Sequence, residues 1–181
     1  MPEKVVIVPY DPEWPALFAR LGADLRQALG TVALRIDHIG STSVPGLAAK
    51  PVIDVQISVA SFELLDAFRI PLQSLGFVYR PDNPDLSKRY FREPPGTRRT
   101  HIHVFRAGSW PEQVSLLFRD YMRAHDEDAR QYAALKYRLA AQYQDDRLGY
   151  TDAKSPLIWE VMARAHRWSQ RIGWQAGPSD A

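Results

Sequence analysis

The chain of 181 residues has no cysteine, which excludes disulfides, thiolate nucleophiles and cysteine-ligated zinc together. Long apolar runs are missing as well. None approaches the roughly 18 residues that a membrane-spanning helix needs. The start, MPEKVVIVPYDPEW, meets Glu3, Tyr10 and Asp11 too early for a secretory signal, so a cytoplasmic protein is expected. Excess charge of one sign is also scarce, since 23 basic against 21 acidic residues leave +2. That is too little for a chain built as a whole to coat nucleic acid. Internal repeats and linkers are absent, and 45% hydrophobic with 24% charged residues is an ordinary composition for one domain with a real core.

The charge that is present is unevenly placed. Between Arg80 and Arg106 stand seven basic residues and three acidic ones, so this window carries +4 and the remainder −2. Such a patch suits a polyphosphate or a short nucleic-acid contact, and equally a solvated hairpin surface.

Chemistry is densest in HIGSTSVPGLAAKPVIDVQI, His38 to Ile57. An apolar strand from Val32 to Ile39 runs into Gly40 and Ser41, a loop of small residues comes next, and Lys50-Pro51 opens a β-branched strand from Val52 to Val59. Side chains alternate along a strand, so Asp54, Gln56 and Ser58 share one face while Ile53, Val55, Ile57 and Val59 fill the other. Gly40 lets the backbone approach a ligand, and Ser41, Thr42 and Ser43 add hydroxyls to exposed N–H groups. If the loop opens a helix, its first N–H groups favour an anion further. Asp54 would then hold a hard divalent cation bridging to phosphate oxygens. Lys50, held extended by Pro51, is placed to meet a phosphate or to pair with Asp54.

The remaining elements follow from periodicity and punctuation. Val5–Val8 is expected as a short strand. Asp11 and Pro12 open a helix with a core stripe of Trp14, Leu17, Phe18, Leu21, Leu25 and Leu29. A helix from about Ser61 carries Phe62, Leu65, Phe68 and Leu72, with Pro71 kinking or ending it. Gly76–Tyr79 is a strand, 80–87 a loop, and Tyr90–Glu93 with Thr100–Arg106 a hairpin around Pro94-Pro95-Gly96-Thr97. From Ser109 the pattern turns helical. Ser109 and Glu112 have capping-box spacing, a second helix carries Tyr132, Leu135, Leu139 and Tyr143, and Ser155-Pro156 starts the last. The tail after Trp174 is expected to fray.

The string GSTSVPGLAAKP followed by VIDV resembles the signature of the GrpB family, small proteins with a nucleotidyltransferase-like fold. In that superfamily a Gly with Gly or Ser precedes, after a spacer, Asp-x-Asp or Asp-x-Glu on a strand. Gly40, Ser41 and Asp54 match the first three positions, whereas Gln56 puts a neutral amide in the fourth. The resemblance implies an α/β (α+β) fold with a mixed sheet, flanking helices and a C-terminal helical half. It spans residues 1–174 as one domain, sheet-rich over 1–108 and helical over 109–174, with 175–181 as tail. It also implies that Lys136, Tyr150 and Lys154 are family positions of the helical half.

His101 and His103 stand on one face of the Thr100–Arg106 strand, where two imidazoles can ligate a metal or donate to phosphate. Transferases of this superfamily draw a third carboxylate from a later strand. One of these histidines is expected in its place, giving a site of Asp54, imidazole and Gln56, with Glu93 as a fallback acid. Histidine-triad hydrolases need a third histidine where Phe105 stands. Tyr150 and Lys154 have the Tyr-x-x-x-Lys spacing of short-chain dehydrogenases, but no glycine-rich dinucleotide loop accompanies them.

The functional expectation is nucleotide binding with metal-dependent nucleotidyl transfer. Ser41 and the loop hold a nucleoside triphosphate, Asp54 holds Mg²⁺ or Mn²⁺, and the histidines with Arg98 or Arg99 complete the cleft. The competing expectation is a binding module without catalysis, Gln56 having replaced the second acid. A third is an RNA-contacting protein using the basic hairpin. The acceptor stays open between protein, RNA and a small molecule.

Overall fold

The computed structural model describes residues 4–181, so the Glu3 invoked against a secretory leader lies outside the described residues. Five strands form one mixed sheet: β1 (Arg35–Ile39), β2 (Ile53–Val59), β3 (Val78–Tyr79), β4 (Lys88–Arg92) and β5 (Thr100–Arg106). Their order is β1-β2-β5-β4-β3. The two central strands, β2 and β5, run parallel, and every other pairing is antiparallel. The parallel register sets Asp54 opposite His101 and Gln56 opposite His103. With side chains alternating along both strands, all four therefore emerge on one face.

The opposite face is the apolar core. Helices α1 (Trp14–Leu29) and α2 (Leu65–Ser74) bring Trp14, Phe18, Leu25, Phe68 and Leu72 onto Ile53, Val55, Ile57, Ile102 and Val104. Helix α1 starts at Trp14, with Pro15 rather than Pro12 in its first turn. Asp11 accepts a hydrogen bond from the Glu13 N–H at 2.9 Å just ahead of it. Helix α2 starts at Leu65 and runs past Pro71 to Ser74, one i→i−4 hydrogen bond being lost at the proline.

Three helices cover the polar face: α3 (Trp110–Ala124), α4 (Asp126–Gln142) and α5 (Arg147–Ile172). They share a second core with Val44 and Leu47 of the glycine-rich loop, which pins that loop between sheet and helices. No helix among the described residues is long and apolar enough to cross a membrane.

Several local expectations are corrected. Val5–Val8 is not a strand of the sheet, and Val8 makes an isolated bridge with Ala49. The Ser109–Glu112 capping box does not form. Ser109 makes no side-chain cap, because Glu112 is drawn inward to accept hydrogen bonds from the Gly108 N–H at 2.6 Å and from the Ser58 hydroxyl. Helix α5 begins eight residues before Ser155, where Asp146 accepts from the Gly149 N–H, and Pro156 lies inside it. The tail does not fray. The Asp180 and Ala181 N–H groups donate to the Ile36 carbonyl along the free edge of β1, and the Asp180 carboxylate pairs with buried Arg119 at 2.9 Å.

Candidate functional site

The chain leaves β1 through Gly40, which has φ 70° and ψ −174°. A side chain at this position would be strained by that backbone, and it would also collide with Asp54, since a Cβ would stand 2.6 Å from Oδ2. Glycine thus lets the turn press against the carboxylate. Beyond it the chain makes a single 3-10 turn, Ser41–Ser43, so the condition of a helix opening at the loop is not met. The hydroxyls of the turn divide by role. Ser43 donates back to the Gly40 carbonyl at 2.6 Å, and Thr42 donates to the Val52 carbonyl while meeting His38 Nε2 at 3.0 Å. Both brace the turn, and Ser41 is the hydroxyl that faces the cavity's cations.

Asp54 Oδ1 lies 3.1 Å from His101 Nδ1 and 3.5 Å from His103 Nε2. Burial alone would raise its pKa, but the hydrogen bonds and charge of the two imidazoles outweigh it and hold the carboxyl well below the usual range. The pKa of His101 is lowered as well. Its burial favours the neutral ring despite the carboxylate beside it. These three residues offer ligand atoms that all lie within 4.8 Å of one another. A carboxylate with two imidazoles is a donor set that fits a divalent metal.

Cations converge on the same cavity of about 340 Å³, lined by Gly40, Ser41, Lys50, Asp54, His101 and His103 from the sheet side and by Tyr132, Lys136, Tyr150, Thr151 and Lys154 from α4 and α5. Lys136 Nζ donates to Ser41 Oγ at 3.0 Å and to the Ala48 carbonyl, and it lies 4.6 Å from the centre of the Tyr132 ring. Burial, then the charges of Lys154 and Lys50, push its pKa down to about 7. Lys154, 4.6 Å from the Tyr150 ring, is pushed down to about 8 by burial and by Lys50. Lys50 stacks on the same ring at 5.1 Å. The Tyr132 hydroxyl, hydrogen-bonded to Ser41, is raised to about 12 by burial. The Tyr150 hydroxyl is buried without a hydrogen-bond partner. Three lysines thus stand against one carboxylate in the lining of this cavity.

Residues 4–164 match the family described as GrpB protein. The chain belongs to that family. The UPF0157 protein YqkA of Bacillus subtilis is 36% identical over 167 residues, which cover 92% of this chain and 49% of YqkA. A dephospho-CoA kinase of Mycolicibacterium paratuberculosis is 37% identical over 199 residues, covering 94% of this chain and 48% of the kinase. The chain thus spans about half the length of both relatives. Among solved structures, the conserved protein GrpB from Enterococcus faecalis aligns with a TM-score of 0.83 at 31% identity, over 91% of this chain and 99% of that one. The Cid1 poly(U) polymerase bound to Mg and 3'-dATP aligns with a TM-score of 0.50 at 17% identity, over 75% of this chain and 43% of Cid1. That second likeness is one of fold, and the fold is nucleotidyltransferase-like.

Other predicted residues of this GrpB chain lie outside the cluster. Gln56, though on the face of Asp54, is fully buried beneath α3. Its Nε2 reaches the Glu112 backbone carbonyl at 3.4 Å and its Oε1 has no partner, so it does not line the cavity. Arg98 borders a separate groove with Leu17, Leu21, Phe77 and Pro94. Arg99 lies 3.7 Å from Glu93, which also forms a two-pronged pair with Arg92. Glu93 is therefore spent inside the hairpin and is no fallback ligand. Lys88 likewise pairs with Asp85 at 3.2 Å, and the window keeps its net positive charge. Tyr132 and Thr151 were missed. Tyr132 carries the helical spacing of a core stripe, and only its position one turn before Lys136 marks it as cavity-facing.

Proposed function

We propose that the protein binds a nucleoside triphosphate in the cavity between the Gly40–Ser41 turn and helices α4 and α5, in the cytoplasm, and that it transfers the nucleotidyl group to an acceptor with a bound metal. The observation that carries this reading is the convergence of Lys50, Lys136 and Lys154 on the cavity that also holds Asp54, His101 and His103. Lys136 is buried on neutral hydrogen-bond partners, and burial with the charges of Lys154 and Lys50 depresses its pKa, so phosphate oxygens beside it favour its charged form.

In this reading Lys136 and Ser41 grip the terminal phosphates, while Lys50 and Lys154 flank them from the Tyr150 ring. Asp54, His101 and His103 hold the metal, which when bound supplies Lewis acidity at the reacting phosphate. An acceptor hydroxyl oxygen bonds to the α-phosphorus, the bond from that phosphorus to the bridging oxygen breaks, pyrophosphate leaves, and the hydroxyl proton passes to a base. The nucleotide-bound Cid1 neighbour shares the fold, and the dephospho-CoA kinase relative bears a name that implies a phosphate-bearing ligand. Both are consistent with a phosphate site in this cavity.

The burial of Gln56 favours a second reading, in which binding persists without transfer. With Gln56 turned away, Asp54 is the one carboxylate among the described residues lining the cavity, whereas in-line transfer by two cations draws on more than one acid. Thermal shift with ATP, CTP, GTP and UTP, each with and without Mg²⁺, Mn²⁺ and Zn²⁺, tests binding. Pyrophosphate release measured on the same samples separates the readings. Metal-dependent release supports transfer, binding without release supports the module, and no shift with any nucleotide overturns both.

A further inference from the structure

Resting on the nucleotide reading, the donor set carries a sharper conclusion about the cation. Donor atoms bound to one metal at about 2.0–2.2 Å, with tetrahedral or octahedral angles, lie roughly 3.0–3.6 Å apart. The two carboxylate-to-imidazole separations, 3.1 and 3.5 Å, already have that size. The side chains are only partly exposed, 26% for Asp54, 12% for His101 and 18% for His103, so the set opens to the cavity from a fixed wall of the sheet. Register fixes it further. His101 is the strand neighbour of Asp54, and His103 stands two residues on along the same face.

Two of the three donors are nitrogen. Magnesium demands oxygen ligands and gives up water reluctantly, whereas imidazole suits the borderline first-row cations and zinc. A second cation would need further oxygen donors. Gln56 is buried against the Glu112 backbone, and Glu93 is held by Arg92 and Arg99. Where a two-metal site would place more positive charge beside the phosphates, this cavity has the ammonium groups of Lys136 and Lys154.

We propose that Asp54, His101 and His103 hold a single borderline transition-metal cation in preference to magnesium, and that Lys136 and Lys154 meet the phosphate charge a second cation would otherwise neutralise. The site thus has two separable halves. The imidazole half selects the metal without nucleotide, and the lysine half attracts phosphate without metal.

The full chain, stripped of metal, is titrated by calorimetry with MnCl₂, CoCl₂, ZnCl₂ and MgCl₂, each alone, and the cobalt sample is followed by visible absorption. The expected result is one Mn²⁺, Co²⁺ or Zn²⁺ per chain, bound about tenfold or more tighter than Mg²⁺. The cobalt ligand-field bands should fade in His101→Asn and in His103→Asn, with affinity down by about 100-fold or more. Circular dichroism checks each fold, and if His101→Asn fails to fold, the more exposed His103→Asn decides. Equal affinity for magnesium, two cations per chain, or unchanged cobalt bands in a folded histidine variant would overturn the proposal. ATP is then titrated into metal-free wild type and Lys154→Met. Binding that weakens in Lys154→Met, in a protein without metal preference, sinks this inference and leaves the nucleotide reading standing. Metal preference with no ATP binding overturns the nucleotide reading, and with it the phosphate-binding role of the lysines.

Discussion

Replacing Lys136 by methionine should stabilise the free protein while weakening its hold on phosphate. Lys136 is 2% exposed, and its hydrogen-bond partners, Ser41 and the Ala48 carbonyl, are neutral. Its pKa falls from 10.5 in the unfolded chain to about 7 in the fold. At pH 7 that difference corresponds to about 4 kcal/mol of lost stability relative to a lysine buried neutral. Methionine removes the charge and keeps most of the volume, but it leaves the Ala48 carbonyl and Ser41 hydroxyl short of a donor, at about 2 kcal/mol. The net gain is about 2 kcal/mol, or roughly 4–8 °C in Tm for a chain of this size. The sign with pH follows from linkage. A lowered folded pKa means the unfolded chain binds more protons between pH 7 and 10.5, so wild-type stability rises with pH through that window. From pH 7 to pH 9 the wild type regains about 2 kcal/mol and the advantage of the variant closes. Denaturant unfolding of both proteins at pH 7 and pH 9, with ATP titrations alongside, measures this. A variant less stable at pH 7, a gap that ignores pH, or unchanged ATP affinity refutes the reasoning.

Gly40→Ala should lose about 1–3 kcal/mol and, with a Cβ forced against Asp54 Oδ2, its metal binding. Gly46→Ala has φ +76° but open space around it, and should lose about 1–2 kcal/mol with metal binding intact; calorimetric metal titration of both tells them apart. Gln56→Asp should cost about 3 kcal/mol, because it buries an acid beside the Glu112 carbonyl, and should gain no pyrophosphate release; a stable, activated variant would show that this side chain can reach the metal. Triphosphate binding at pH 8 should take up protons, since a phosphate draws Lys136 and Lys154, at about 7 and about 8 when free, back to their charged forms. Affinity should therefore fall from pH 7 to pH 9, and equal binding enthalpies in HEPES and Tris buffers would contradict it.

How far the site was legible in the sequence depends on the range of the interactions that build it. Strand alternation with period two was enough to bring Asp54, His101 and His103 to one face, because β2 and β5 pair in parallel register and each strand fixes its own facing. The same rule placed Gln56 beside them and could not reveal that α3, more than fifty residues on, lies over that position and leaves Asp54 uncovered. Arg98 and Arg99 looked close to the histidines because they precede them by two or three residues, yet they lie ahead of the strand, where Glu93 and the edge of α1 claim them. For α5, Ser155-Pro156 imitated a helix start, while the true start lies with Asp146. The two added turns carry Tyr150 and Lys154 to the cavity. Lys136 shows why local rules fail at such a place. On helix α4 its position belongs to the buried stripe of Tyr132, Leu139 and Ala140, and burial would select an apolar residue there. A lysine kept at that position, near neutrality and beside two more, is a local cost that folding alone does not explain, and an anion arriving in the cavity removes it.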